Sequence, residues 1–200
     1  ADATDVESVL ELSNAVDGPV YIRMVRGEIP RLFPAKNQTI LGKARILSLG
    51  SDITLLTSGI CTEESLRVTD ILKDRGIGVQ HLHVTTLKPF DDHRVSEALA
   101  KARYGIITME NHTSIGGLGS CVAEMIAKFG IATKLIKVAI NDTYLQGASR
   151  TFLMERYGID VKALLSAIES LVGEKIDISD ADLTTSRQDS FFNENQQEAL

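Results

Sequence analysis

The sequence predicts an α/β protein: a three-layer sandwich with a mostly parallel sheet and an antiparallel edge strand, preceded by a fragment of a second α/β domain. Three observations predict it. From Thr62 to Ile140, amphipathic stretches of helix length alternate with apolar stretches of strand length, a pattern that implies parallel neighbours covered by helices on both faces. Just before them, "KARILSLG" and "DITLLTSG" are two apolar strands joined across Gly50-Ser51, which reads as an antiparallel edge hairpin. Finally, the chain opens with one helix and one strand that cannot bury both of their faces alone, so they read as the end of a domain whose remainder is missing.

Taken in order, residues 5–16, "DVESVLELSNAV", put Val6, Val9, Leu10 and Leu12 or Ser13 on one helical face behind the cap-like Thr4, and Asp17-Gly18 ends that helix. "PVYIRMVR", residues 19–26, reads as a strand. "GEIPRLFPAKNQT" is an extended connection, because Pro30 and Pro34 deny both a donor and helical freedom. The predicted boundaries are a fragment over 1–34, a linker over 35–40, a main domain over 41–175 and a polar tail over 176–200. Within the main domain, helix 62–75 leads to strand 79–87, helix 92–102 to strand 104–109, and helix 117–129 to strand 134–140. Helices near 149–157 and 160–172 finish it, and from Ile176 the composition offers little to pack.

A length of 200 residues with 44% apolar content suits one ordinary domain plus attachments. The net charge of −6 and the lack of any Lys/Arg cluster argue against a nucleic-acid surface, which needs concentrated positive charge. No apolar run approaches the roughly 20 residues that span a bilayer, and the start "ADATDVESVL" has neither the basic nor the apolar region of a leader. The expectation is a cytoplasmic chain with no membrane and no nucleic-acid partner. Cys61 and Cys121 lie far apart without zinc-type spacing and read as reduced thiols.

Several groups invite a chemical reading, and each has a plainer one beside it. His81 and His83 share one strand face, a spacing that suits two metal ligands, but no third ligand can be named and a hydrogen-bonded pair is preferred. Asp91-Asp92-His93, and Glu63 with Glu64, sit at helix starts where carboxylates cap free N–H groups and meet the positive dipole end. Arg23, Arg26 and Arg31 surround the end of the first strand, where a guanidinium fork suits either a phosphate or a surface ion pair. Glu110, Asn111 and His112 form the best polar constellation, at the carboxyl end of a strand where open sheets bind ligands. The alternative is that they satisfy a tight turn or a subunit interface. The stretch continues "TSIGGLGSCVAE", in which Gly116, Gly117 and Gly119 look like a phosphate cradle. Their G-G-x-G spacing matches neither the dinucleotide nor the P-loop pattern, and nothing forms a complete nucleophile, base and oxyanion set.

Read consecutively, "GPVYIRMVRGEIP", "DITLLTSG", "DRGIGVQHLHVTTLKPFD", "ITMENHTSIGGLGSCVAE", "NDTYLQGAS" and "LMERYGID" resemble the carboxy-terminal portion of the transketolase family of thiamine-diphosphate enzymes, over about residues 4–173. Beta subunits of 2-oxo acid dehydrogenases and deoxyxylulose-phosphate synthase resemble the chain less. The former carry a double-glutamate-glycine turn where Glu110-Asn111-His112 stands. The resemblance implies that residues 1–34 end a pyrimidine-binding domain and that residues 41–175 form the transketolase C-terminal domain. It implies thiamine diphosphate and a divalent metal such as Mg in the complete assembly, none of it held by this chain alone. The implied partners are an amino-terminal cofactor-binding domain or subunit in a homodimer or heterotetramer, and a sugar phosphate substrate. By the same resemblance Arg26 contacts that phosphate, no catalytic residue lies in this chain, and the glycines serve a tight turn. A non-catalytic interaction domain on the same fold is the alternative.

Overall fold

The computed structural model describes residues 1–25, 29–35, 38–179 and 181–183. Its sheet has five strands, β1 (Arg45–Ser48), β2 (Ile53–Thr57), β3 (Val79–His83), β4 (Gly105–Thr113) and β5 (Leu135–Ile140), in the order β1-β3-β2-β4-β5. All five residues of β2 are buried, which requires neighbours at both edges and cover on both faces. It therefore lies between β3 and β4, parallel to both, and β5 extends the parallel set beyond β4.

The antiparallel edge exists, but the hairpin expected to make it does not. Strand β1 skips its chain neighbour and pairs antiparallel with β3, Arg45 opposite His83 and Ile46 opposite Leu82. Burial explains the exchange: β1 has no fully buried residue and suits an edge, whereas β2 is apolar on both faces and needs the centre. Gly50 allows the connection to pass the start of β3, since a Cβ there would stand 2.3 Å from the carbonyl carbon of Gly78.

Helices α2 (Cys61–Asp74) and α6 (Val161–Val172) cover one face, and α3 (His93–Lys101) and α4 (Leu118–Phe129) the other. Leu55 enters the first core with Val68, Leu72, Leu164 and Ile168, while the next residue, Leu56, enters the second with Leu99, Leu118 and Val122. That alternation is the period of two of a strand covered on both sides. Each fully buried aliphatic side chain stabilises the fold by about 1.5–3 kcal/mol relative to exposure. A small third cluster joins α5 (Arg150–Arg156) to the sheet end through Met154, Ile140 and Ile60.

Inside the domain β3 stops four residues before the expected 87 and β4 runs four beyond the expected 109, and further differences lie at the ends. Helix α1 (Ala3–Ser13) is capped by Asp2, not Thr4. The Asp2 carboxylate accepts from the backbone N–H of Asp5, Leu32 and Phe33, which ties the helix start to the following segment. The buried face of α1 is polar, made of Thr4, Asp5 and Ser8, and the apolar Val9 and Leu10 point outward. The expected strand over 19–26 forms no ladder in its described part, residues 19–25, and Tyr21 is 88% exposed there. A strand needs a partner for its backbone groups, and none is at hand among the described residues. Beyond 175, where little packing was expected, Ile176, Ile178 and Leu183 lie against the first core. Residues 184–200 are outside the described residues.

Candidate functional site

Strand β4 delivers Glu110 to the first turn of α4, and the glycines between them let the helix start come to it. Glu110 is 2% exposed. Its two oxygens accept from the backbone N–H of Leu118 at 2.7 Å and Gly119 at 2.8 Å. Such a helix start attracts anions through its free N–H groups and its dipole, and here the anion is the chain's own carboxylate. A Cβ on Gly117 would lie 2.0 Å from Glu110 Oε2, and one on Gly119 would lie 2.8 Å from Lys137 Cδ and 2.9 Å from Thr108 Oγ1. Gly116 has φ +79° and donates its N–H to Ser120 Oγ. Asn111 and His112 do not join Glu110: both are exposed, the amide of Asn111 lies against Gly59, and His112 Nδ1 sits 3.2 Å from the carbonyl of Thr113.

The arginines near the first segment separate as well. Arg26 lies outside the described residues. Arg23 is exposed, and Arg31 grips Glu7 through two hydrogen bonds of 2.7 and 3.0 Å and donates to Thr4 Oγ1. Glu63 pairs with Arg150 at 3.3 Å and Glu64 with Arg67, so the two acids expected to cap α2 form ion pairs instead, and that helix start has no side-chain cap. Asp92 caps α3 by accepting from Arg94 N–H. Cys61 and Cys121 are both free thiols. Burial pushes the Cys61 thiol well above the ordinary range, which leaves it un-ionised and inert.

The most connected polar group was only half visible in sequence. His81 and His83 belong to a buried chain that runs Asp5 Oδ2, His83 Nε2, His83 Nδ1, Thr62 Oγ1, Thr57 Oγ1, His81 Nε2, with successive contacts of 2.9, 2.8, 2.9 and 2.9 Å. Burial lowers the pKa of His83 against the pull of Asp5, and burial together with His83 brings His81 down to about 3. Burial is the largest influence on Asp5 and works against its charge, but the hydrogen bond and charge of His83, together with the Ala1 amino group at 2.6 Å, outweigh it and keep the carboxyl ionised. With Asp5 an acceptor only and both imidazoles neutral, every proton has one place. His83 donates from Nε2 to Asp5, Thr62 to His83 Nδ1, Thr57 to Thr62, and His81 from Nε2 to Thr57. His81 Nδ1 is left as a buried acceptor without a partner.

Asp5 also receives Thr39 Oγ1 at 2.8 Å and Arg45 Nη1 at 3.0 Å, and Arg45 stacks over Phe33 at 3.9 Å. The opening helix is thus joined to the sheet by a polar seam. The spacing of the two histidines announced a shared face, but Thr57, Thr62 and Asp5 lie up to 78 positions away and carry no mark in sequence. Among the described residues no group of three or more His, Cys, Asp or Glu side chains is arranged to hold a metal, and no helix is long and apolar enough to cross a membrane.

Fold and site define a three-layer α/β domain with an antiparallel edge, joined through a buried polar seam to the segment before it. The profile described as "Transketolase, C-terminal domain" matches residues 42–185, and the chain belongs to that family. It is 32% identical over 169 residues to a transketolase C-terminal section of Methanocaldococcus jannaschii, covering 84% of this chain and 52% of that protein. It is 33% identical over 174 residues to the 6-deoxy-6-sulfo-D-fructose transketolase subunit SqwH of Clostridium sp. strain MSTE9, covering 87% and 53%. A solved structure titled as a split gene transketolase, inactive beta4 tetramer, superposes with a TM-score of 0.78 at 29% identity, covering 88% of this chain and 57% of that one. The chain spans about half the length of the curated relatives it matches.

Proposed function

We propose that this chain is the C-terminal part of a transketolase-like enzyme whose complete assembly transfers a two-carbon ketol unit between sugar phosphates with thiamine diphosphate and a divalent metal such as Mg. The observation that carries the proposal is the family match over residues 42–185, together with relatives described as a C-terminal section and as a transketolase subunit. In this reading residues 1–34 end a pyrimidine-binding domain, 35–40 link it to the C-terminal domain over 41–175, and the tail follows. The partner is an amino-terminal cofactor-binding domain or subunit, in a homodimer or heterotetramer, working in the cytoplasm where sugar phosphates are metabolised.

The glycine-led start of α4 does not fit the cofactor's diphosphate. The one glycine-led helix start that resembles a diphosphate cradle is filled by the carboxylate of Glu110, which would repel a diphosphate. Lys137 and Thr108 occupy the space a larger group would need beside Gly119. This chain's own contribution is therefore the rigid C-terminal domain, the seam that holds the preceding segment on it, subunit contacts, and Arg26 as a guanidinium for a substrate phosphate.

Turnover of a ketose phosphate plus an aldose phosphate, with saturating thiamine diphosphate and magnesium, tests the proposal. The chain alone should be inactive, and adding the amino-terminal domains should raise the rate above background. In that assembly Arg26→Ala should lower kcat/KM more for phosphorylated than for unphosphorylated sugars. Turnover by the isolated chain, or inactivity with every thiamine-family partner supplied, would overturn it.

A further inference from the structure

A cavity of about 210 Å³ opens where β1 and α3 begin, against the connection that precedes β1. Its lining includes Lys43, Arg45, Arg94, Thr39 and Thr85. Three cations thus meet at one cavity, and the carboxylates beside them, Asp5 and Asp92, are already engaged. Asp92 accepts from the backbone N–H of Ala44 at 2.8 Å and from Arg94 Nε and Nη2 at 3.1 and 2.7 Å. Asp5 is taken up by Thr39, Arg45 and His83. Positive charge therefore exceeds negative charge around the cavity.

The donors there differ in how free they are. Arg45 is committed to Asp5 and Phe33 and lends only background charge. Arg94 is gripped along one edge: Nε and Nη2 hold Asp92, and Nη2 also donates to the carbonyl of Ala44 at 2.9 Å. That grip fixes the guanidinium plane and leaves Nη1, with two N–H groups, without a partner among the described residues. Among the described residues Lys43 Nζ has only a long ion pair to Asp92, 3.7 Å, and its side chain is 45% exposed. The Thr85 hydroxyl is fully shielded and has no hydrogen-bond partner, which costs free energy unless something meets it. A planar cation held on a rigid support, a mobile ammonium and an unmet hydroxyl are the donor set that tetrahedral oxyanions take.

We propose that this cavity binds a phosphate-type oxyanion, free or carried as a phosphate monoester, through Arg94 Nη1, Lys43 Nζ and Thr85 Oγ1. The site lies between the sheet and the connection holding Thr39, whose hydroxyl donates to Asp5. Occupancy would draw that connection onto β1 and tighten the seam, so the anion acts as a clasp between segments and takes no part in ketol transfer. The inference stands whether or not the activity proposed above is correct.

Isothermal titration of the 200-residue chain with orthophosphate, and separately with glycerol 3-phosphate, tests it at constant ionic strength set with chloride. Saturable binding is expected, with Lys43→Met weakening it about tenfold and Thr85→Val about fivefold. Both variants leave the hydrogen bonds of Asp92 intact and should melt close to the parent temperature. Orthophosphate binding as tightly as the ester identifies free phosphate as the natural occupant, and a preference for the ester identifies a phosphorylated metabolite. No saturable heat from either probe, or undiminished binding by both folded variants, would overturn the site.

Discussion

Gly116 and Gly117 are adjacent in the chain and are constrained by different things. Gly116 has φ +79° with open space around its Cα, so alanine there meets only backbone strain, about 1–2 kcal/mol. At Gly117 a Cβ would sit 2.0 Å from Glu110 Oε2, so alanine must eject the carboxylate that holds the helix start, at about 3 kcal/mol. Urea unfolding should rank Gly117→Ala well below Gly116→Ala. The Glu110→Ala, Gly117→Ala double variant should be more stable than the sum of the single losses, since the first change removes the obstacle to the second. Strict additivity would mean the two residues do not meet. His81 offers a test of a different kind. The unfolded chain takes up a proton there near pH 6.5, while the folded chain resists until about pH 3. The stability contributed by its neutral form is therefore complete above pH 6.5 and declines as pH falls, by about 1.4 kcal/mol per pH unit across that window. The pKa of His83 is lowered in the same direction and adds to the slope, whereas the depressed Asp5 costs stability only below its unfolded value of 3.8. Unfolding curves at pH 7, 6, 5 and 4 should be flatter in His81→Gln; equal slopes would count against burial of a neutral imidazole. Sequence could name these histidines but not their partners, because hydrogen bonds across strands and between distant elements follow the register, which is decided by the whole sheet.

For the elements, legibility tracked how local the cause was. The interior helices were read to within one or two residues because their apolar period and caps lie within the segments themselves, as with Asp92 before α3 and Gly130 after α4. The pairing of β1 was misread because adjacency in the chain was taken for adjacency in space, while the choice rested on the two covered faces of β2. Helix α1 was expected over 5–16 and lies two to three residues earlier, over Ala3–Ser13, and it is turned differently. Its apolar stripe suggested the buried face, but Asp5, Thr4 and Ser8 face the sheet and its connection. That orientation makes α1 depend on polar bonds more than on area. Asp5→Asn should therefore loosen it selectively: hydrogen exchange at amides of residues 6–13 should accelerate at least about tenfold, while β2 and β4 keep their protection. Equal acceleration throughout would show that the seam supports the entire domain and not α1 alone.

The outward side of the opening segment matters at the scale of the whole molecule. Val9, Leu10, Val16, Val20, Tyr21 and Met24 are all exposed, on a chain that spans about half of its relatives. The isolated chain should bind an apolar dye at neutral pH, and the amino-terminal partner proposed above should abolish the signal and raise the melting temperature, since binding to the folded state alone stabilises it. Dye binding that persists in the active assembly would place the partner on another surface. The α/β class was legible from the alternation, which survives misreading any single strand, whereas the antiparallel edge was expected from a hairpin that β1 does not form.

The direction of the histidine and threonine chain carries a consequence at longer range. All four hydrogen bonds point the same way, from His81 toward Asp5. Each donor is polarised by the one ahead of it, so the electron density of the Asp5 carboxylate is drawn back along the row into the middle of the sheet. The strength with which Asp5 holds Arg45 and Thr39 is then set partly by an imidazole that touches neither. A substitution at His81 would be felt first as a change in the grip on the opening helix, at the far end of the row.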